Sequence, residues 1–288
     1  MTLAEYVPQF LEYLEAMGRA PKTLEKYRCY LPWALALIGN KDTSQLRLVD
    51  VARVVKSGRL HGIYGPKQTV ICYRVFLKWL HDSNIPLLFD WRDIDVPNVP
   101  QNELEYLTSS ELNIVRKAIP LDKPSGLRMR AFIEMLLDTG MRISEALSVD
   151  QDDIDWRLKE IKITNGKTRK KNETVYLTKR SIYWLKRYLA RCHADHTDCP
   201  ALFAHEGKRL SLGTARQYLW LLSKKLPIKK KFRSHIFRRT LATKLQERVD
   251  FKTVQTILRH RSERTTLMYY VGVNQERAKR LHQKVMGA

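Results

Sequence analysis

The chain reads as mainly α-helical, in two domains, with one small β-hairpin in the second. Three observations predict this: apolar residues recur at helical spacing through residues 1–92, a proline-bearing stretch at 93–107 interrupts the pattern, and beyond it a single segment alternates with period two inside a helical sequence. The 288 residues suffice for one large domain or two ordinary ones, and 44% hydrophobic with 28% charged residues suits a globular chain with a real core.

In the first domain, Tyr6, Phe10 and Tyr13/Leu14 share a helical stripe, and Gly18 is a C-terminal stop. Pro21 and Thr23 open a second helix with Leu24, Tyr27 and Leu31 on one face. A later stripe of Val70, Tyr73, Leu77 and Leu80 is closed by Asn84 and Pro86. Pro97 and Pro100 favour extended chain, which places an interdomain linker at 93–107. The second domain, 108–288, begins with a capped helix at Thr108. Residues 128–149 form a helix, a tight turn at Gly140 and a shorter helix. Ile161 and Ile163 in one arm and Val175 and Leu177 in the other flank Asn165 and Gly166, the pattern of a β-hairpin. Helices dominate from Ser181 onward.

Lys plus Arg exceed Asp plus Glu by 52 to 30, a net charge of +22. The excess is uneven, with 13 basic and 10 acidic residues in 1–100 against 39 and 20 in 101–288. A fold does not need this bias, but it attracts a polyanion. No apolar run approaches a membrane span and the N-terminus has no signal layout, so the expected place is the cytoplasm. The four cysteines are too few and scattered for a disulfide framework.

Inside the basic domain, Arg142 lies in "DTGMRISEALSVD", His235 and Arg238 in "SHIFRRTLATKL", and His260 in "ILRHRSERTTLMYY", nine residues before Tyr269. Two guanidiniums offer planar donors that match phosphate oxygens and stay charged. A tyrosine is a poor nucleophile until cations and a base activate it. The set suits a site that clamps a phosphodiester and attacks it with a phenol. Tyr270 is the local competitor of Tyr269; adjacent helical residues point about 100° apart, so only one faces the phosphate.

In this order and spacing the three strings resemble the tyrosine recombinases, the phage integrase family, from about Leu107 to the end and more weakly over the N-terminal third; each box alone is a weak motif. Thr139 to Val149 match the first-arginine box, His235 to Leu245 the His-x-x-Arg box, and Leu258 to Tyr269 the Leu-Gly-His box with its Thr-Thr pair and Tyr. Arg259 departs from the pattern, standing where the family usually has Gly.

The resemblance implies a helical, SAM-like core-binding domain at 1–92 and an α-rich catalytic domain, closing on duplex DNA as a C-shaped clamp. It implies that Tyr269 forms a 3′-phosphotyrosyl bond and releases a 5′-hydroxyl, without metal, cofactor or ATP. Lys167 on the hairpin, with Lys170 and Lys171 as rivals, is implied as the general acid. His235 would accept the tyrosine proton or hold the phosphate, His260 would donate to a non-bridging oxygen, and Glu145, one turn after Arg142, would hold that arginine's surroundings. Lys224, Lys225, Lys229, Lys230, Lys231 and Arg233 are expected to track the DNA backbone. The partners implied are double-stranded DNA, a homotetramer of the chain on synapsed sites, and an accessory DNA-bending or directionality protein. The tail after Tyr269, with Ala278, Leu281, Lys284 and Val285 on one stripe, is expected to dock on a neighbouring protomer or on its own domain. With no extra arm-binding domain expected, the compact size resembles the Xer-type or simple mobile-element branch. A topoisomerase of type IB or a telomere resolvase shares the chemistry, and a non-catalytic DNA-binding protein is the rival of another class. Cys192, His193, His196 and Cys199 cluster as a zinc site would, but without finger spacing, and read as a plain loop.

Overall fold

The computed structural model describes residues 1–57, 65–98, 105–164, 172–192, 199–230, 232, 235–260, 262, 263, 266, 267, 279, 282, 283, 286 and 287. The chain divides into two compact units, Met1–Asn102 and Glu103–Ala288.

Among the described residues the first unit packs helices α1 (Leu3–Ala16), α2 (Pro21–Ile38), α3 (Leu48–Ser57) and α4 (Gly65–Asp82). Leu3, Val7, Phe10 and Leu14 are the buried stripe of α1, so the face lies to one side of the expected Tyr6–Tyr13 line, and Tyr13 is exposed. Phe10 is the hub: its ring lies 5.3 Å from Tyr27, 5.3 Å from Phe76 and 5.4 Å from Trp79, which joins α1, α2 and α4. Gly18 and Asn84 both take positive φ and end α1 and α4. Helix α3, which no clear stripe announced, contributes Val51 and Val54 to the same core.

The stretch expected as a linker at 93–107 is anchored at both ends. Ile94 is buried in the first core with Val96 against it. Leu107 is buried in the second core, and its N–H donates to Thr240 Oγ1 at 2.9 Å. The apolar side chains flanking the prolines thus belong to the two units.

The second unit contains α5 (Ser109–Lys117), α6 (Pro124–Thr139), α7 (Ile143–Ser148), β1 (Ile154–Asp155), β2 (Glu160–Thr164), β3 (Asn172–Tyr176), α8 (Lys179–Arg191), β4 (Ala204–His205), β5 (Lys208–Arg209), α9 (Leu212–Lys225), α10 (His235–Gln246) and α11 (Phe251–Leu258). Thr108 caps α5, with Glu111 returning to its N–H. Helix α6 is the spine: it is buried on nearly every side and packs against α8 and α10. Glu134 and Arg130 on that buried helix are paired: Glu134 accepts from Arg130 at 2.9 Å and from Arg116 of α5 at 2.8 Å. Strands β1, β2 and β3 form an antiparallel sheet in that order, with Ile161 opposite Val175 and Ile163 opposite Glu173. Ile161, Ile163, Val175 and Leu177 are all buried, as their alternation predicts. The turn of this hairpin, 165–171, lies outside the described residues. A small separate core of Ala242, Val254 and Leu258 holds α11 on α10. Among the described residues no helix is long and apolar enough to cross a membrane.

Candidate phosphodiester site

Three helix ends meet at the candidate site. The first is the turn out of α6. Gly140 adopts φ 57, ψ 19 and its N–H donates to Leu136 O, closing the helix. Glycine is required there twice over. The left-handed backbone disfavours a β-carbon, and a Cβ would lie 2.9 Å from Leu258 Cδ2 and 3.0 Å from Leu241 Cδ2. The turn delivers Arg142 to the N-cap of α7 with a half-exposed side chain. Glu145, one turn on, takes the Arg142 N–H on Oε2 at 2.9 Å and Arg142 Nη1 on Oε1 at 2.7 Å.

The second end is the start of α10. His235 is its first residue and is exposed; Arg238 is one turn further in and 4% exposed. Arg238 donates through Nη1 to the Gly140 carbonyl and through Nη2 to the Leu258 carbonyl. These bonds fix the guanidinium plane and tie the ends of α6 and α11 to α10.

The third end is the C-terminus of α11. Arg259 takes φ 55, ψ 45, the left-handed conformation, and its N–H donates to the carbonyls of Gln255 and Thr256. His260 N–H follows onto Gln255 O at 3.0 Å. The expected departure from glycine at Arg259 therefore leaves the glycine-type backbone in place. Its guanidinium turns inward, 8% exposed, with Nη2 2.8 Å from Glu145 Oε2 and Nη1 3.0 Å from Glu173 Oε2 on β3. His260 is buried, and its Nδ1 lies 2.9 Å from the hydroxyl of Thr266, itself fully buried. When that hydroxyl donates, Nε2 carries the ring proton and can donate outward.

Electrostatics bind the set together. Partial burial first, then the fields of Arg239, Arg238, Arg142 and Arg216, push His235 below its usual range. His260 falls to about 4, through burial first and then Arg238, Arg142 and Arg259. The charges of Arg142 and Arg238 thus act on both rings, and both are neutral at pH 7. Burial raises the Glu145 carboxyl, but Arg259 and the bonds from Arg142 outweigh it and leave the carboxyl below its ordinary value. Glu145 is therefore an anion between two arginines, Arg142 and Arg259.

Arg142, Glu145, His235, Arg238 and His260 are brought to one corner of the second unit. Lys167, with Lys170 and Lys171, and Tyr269, with Tyr270, lie outside the described residues, as does most of the chain after His260. Of the basic run, Lys224, Lys225 and Lys229 are exposed, with Lys224 Nζ 5.6 Å from the Trp220 ring centroid. Lys230 is half-buried and engaged: its Nζ lies 2.7 Å from Glu111 Oε2 and 5.5 Å from the Tyr106 ring centroid. Lys231 and Arg233 fall outside the described residues. In the cysteine cluster, Cys192 and Cys199 are buried, and His193 and His196 lie outside the described residues. Among the described residues, no group of three or more His, Cys, Asp or Glu is placed to hold a metal ion. Sequence reasoning gave no role to Glu173 or Thr266, and registered Arg259 only as a departure from a pattern.

Residues 105–277, more than half of the chain, match the profile of the Phage integrase family. The chain is 32% identical over 192 residues to tyrosine recombinase XerC of Chlamydia muridarum, covering 65% of this chain and 59% of that protein. It is 27% identical over 272 residues to the XerC of Chlamydia caviae, covering 90% and 84%. The chain thus spans about three fifths of the length of the first of these relatives. Among solved structures, a lambda integrase tetramer bound to a Holliday junction superposes with a TM-score of 0.76 at 16% identity, over 93% of this chain and 77% of that one. At that identity the likeness establishes the fold.

Proposed function

The chain belongs to the phage integrase family of tyrosine recombinases, and on that premise we propose that it is a site-specific DNA recombinase. It cleaves and rejoins duplex DNA through a 3′-phosphotyrosyl intermediate. The observation that carries this reading is the meeting of Arg142, Arg238, His235 and His260 at three helix ends, with both arginines acting on both histidines.

The scissile phosphate docks against the exposed guanidinium of Arg142, the buried one of Arg238 and the Nε2–H of His260. As Tyr269 Oη attacks phosphorus, negative charge grows on the non-bridging oxygens, and these fixed donors stabilise it more than the ground state. Neutral His235 accepts the tyrosine proton, and Lys167 protonates the departing 5′-oxygen. The phosphotyrosyl bond retains the energy of the diester, so the reverse attack by a 5′-hydroxyl rejoins the strand without ATP. Two relatives are named tyrosine recombinase XerC, which supports chemistry of this class. The lambda integrase structure holds a tetramer on a Holliday junction, which supports synapsis by four copies of this chain. Lys224, Lys225 and Lys229 are assigned to the DNA backbone.

The test is capture of a covalent protein–DNA adduct. DNA held covalently by the wild-type chain is sequenced, and the recovered site is rebuilt as a nicked duplex that traps the cleaved strand. Tyr269→Phe should bind this duplex and form no adduct, whereas Tyr270→Phe should form it. A dead Tyr270→Phe beside an active Tyr269→Phe would reverse the assignment, and absence of adduct from the wild-type chain would overturn the proposal.

A further inference from the structure

Glu145 is the partner of Arg142, so whatever holds Glu145 governs the exposed arginine. Its oxygens are divided. Oε1 accepts Arg142 Nη1 at 2.7 Å, and Oε2 accepts Arg142 N–H at 2.9 Å and Arg259 Nη2 at 2.8 Å. The other amino group of Arg259 reaches Glu173 Oε2 at 3.0 Å. Two carboxylates and two guanidiniums thus join α7, β3 and the turn after α11, and the next residue in that turn is His260.

The backbone makes this arrangement unexpected on conformational grounds alone. At φ 55 a glycine is the easier residue, yet an arginine sits there with its side chain only 8% exposed. Burial of a guanidinium is costly unless its donors meet anions, and here two of its nitrogens do. The side chain is held by what it binds.

We propose that Arg259 is a positioning residue for strand cleavage: by sharing Glu145 with Arg142 and anchoring it to Glu173, it leaves the Arg142 guanidinium available to the scissile phosphate. The reason is competition. A phosphate and Glu145 both draw on the donors of Arg142. With Arg259 in place the Glu145 charge faces two cations. Without it the whole charge faces Arg142, and the Glu173 carboxylate stands nearby without the guanidinium that neutralised it. Arg142 is then held on protein rather than on DNA, and the loss falls on the reacting phosphate. Overall affinity, set by many backbone phosphates, changes little.

The inference rests on the cleavage reading above. Its test uses the full chain and the nicked duplex, measuring half-site affinity and the single-turnover rate of adduct formation at saturating protein. Arg259→Gly removes the side chain while easing the backbone, so folding is not at risk from strain. Arg259→Lys keeps one charge without the fork. Glu173→Gln removes the anchor. Arg259→Gly should lower the adduct rate at least tenfold with affinity within about threefold, and Arg259→Lys should recover part of the rate. Glu173→Gln should slow the reaction, and the double variant should be no slower than Arg259→Gly alone, because the two act through one link. A wild-type rate in Arg259→Gly overturns the positioning role while leaving the cleavage reading intact. A parallel loss of affinity and rate, or multiplicative effects in the double variant, likewise overturns it. A wild-type chain that forms no adduct overturns both.

Discussion

Mild acid should destabilise the second unit, and His260 carries a share that can be worked out. Its ring is 8% exposed and is held at about 4 against 6.5 for the free side chain. The folded state therefore keeps the ring neutral, while the unfolded chain protonates it below 6.5. Stability from the neutral ring is fully present above 6.5, drains away as the pH falls towards 4, and is constant below that. The whole effect, at 1.36 kcal/mol per unit, is about 3 kcal/mol. Between pH 7.5 and 5.5 it amounts to about 1.4 kcal/mol. That interval isolates the histidines, since the depressed carboxyls of Glu134 and Glu145 surrender their contribution only below about 4.5. His235 shifts in the same direction and adds to the wild-type slope. Comparing wild type with His260→Asn by denaturant unfolding at the two pH values separates the two rings. Asn keeps a polar partner for Thr266 and cannot titrate. The wild-type transition that contains the second unit should lose about 1.4 kcal/mol more than that of the variant. Equal losses would show that the buried ring is not held neutral and would refute the electrostatic account of the site.

Four further outcomes are expected. Gly140→Ala should destabilise the chain by roughly 2–4 kcal/mol, combining about 1 for the left-handed backbone with about 1–3 for overpacking against Leu241 and Leu258; a loss under about 0.5 kcal/mol would show that the turn accepts a β-carbon. Lys229→Ala should flatten the log–log salt dependence of DNA binding by roughly 0.9 for each phosphate the ammonium neutralises, whereas Lys230→Ala, whose ammonium is on Glu111, should leave the slope unchanged. Equal flattening by both would put Lys230 on the DNA. Truncation after Asn274 should preserve half-site binding and abolish strand exchange, and full recombination by the truncated chain would remove the tail from any role between protomers. Adduct formation should persist in excess EDTA, because the charge work is assigned to side chains; loss that magnesium or zinc restores would sink that assignment.

What the sequence made legible was whatever repeats or lies close along the chain. The hairpin could be read because Ile161, Ile163, Val175 and Leu177 alternate and bury their shared face. The turn at Gly140 could be read because glycine follows an apolar helix, and the site residues because three strings, each weak alone, stand in one order and spacing. Helix α1 was legible as a helix with Phe10 and Leu14 on its buried face, while Tyr6 sits at the margin of that face and Tyr13 is exposed. Helix α3 was missed because it is short and its burial is decided by α2 and α4. Nothing local could announce the Arg259 link, whose partners lie 114 and 86 residues away in the chain. An arginine at a glycine-type position reads as an oddity until the two carboxylates that hold it are seen.

The charge balance of the site gives the arrangement its direction. Arg142, Arg238 and Arg259 crowd one corner; Glu145 and Glu173 offset part of that charge, and two backbone carbonyls orient Arg238. The visible cost falls on the imidazoles, which are kept neutral below their ordinary range. A phosphodiester entering this corner brings the opposite charge, so it relieves repulsion among the arginines and raises both histidines towards their usual values. His235 thereby becomes a better proton acceptor after the substrate has bound than before. The transition state carries more negative charge on the same oxygens, so the same fixed cations favour it further. The histidines and arginines are therefore one electrostatic unit, and a substitution that adds net negative charge at this corner should slow cleavage more than it weakens DNA binding.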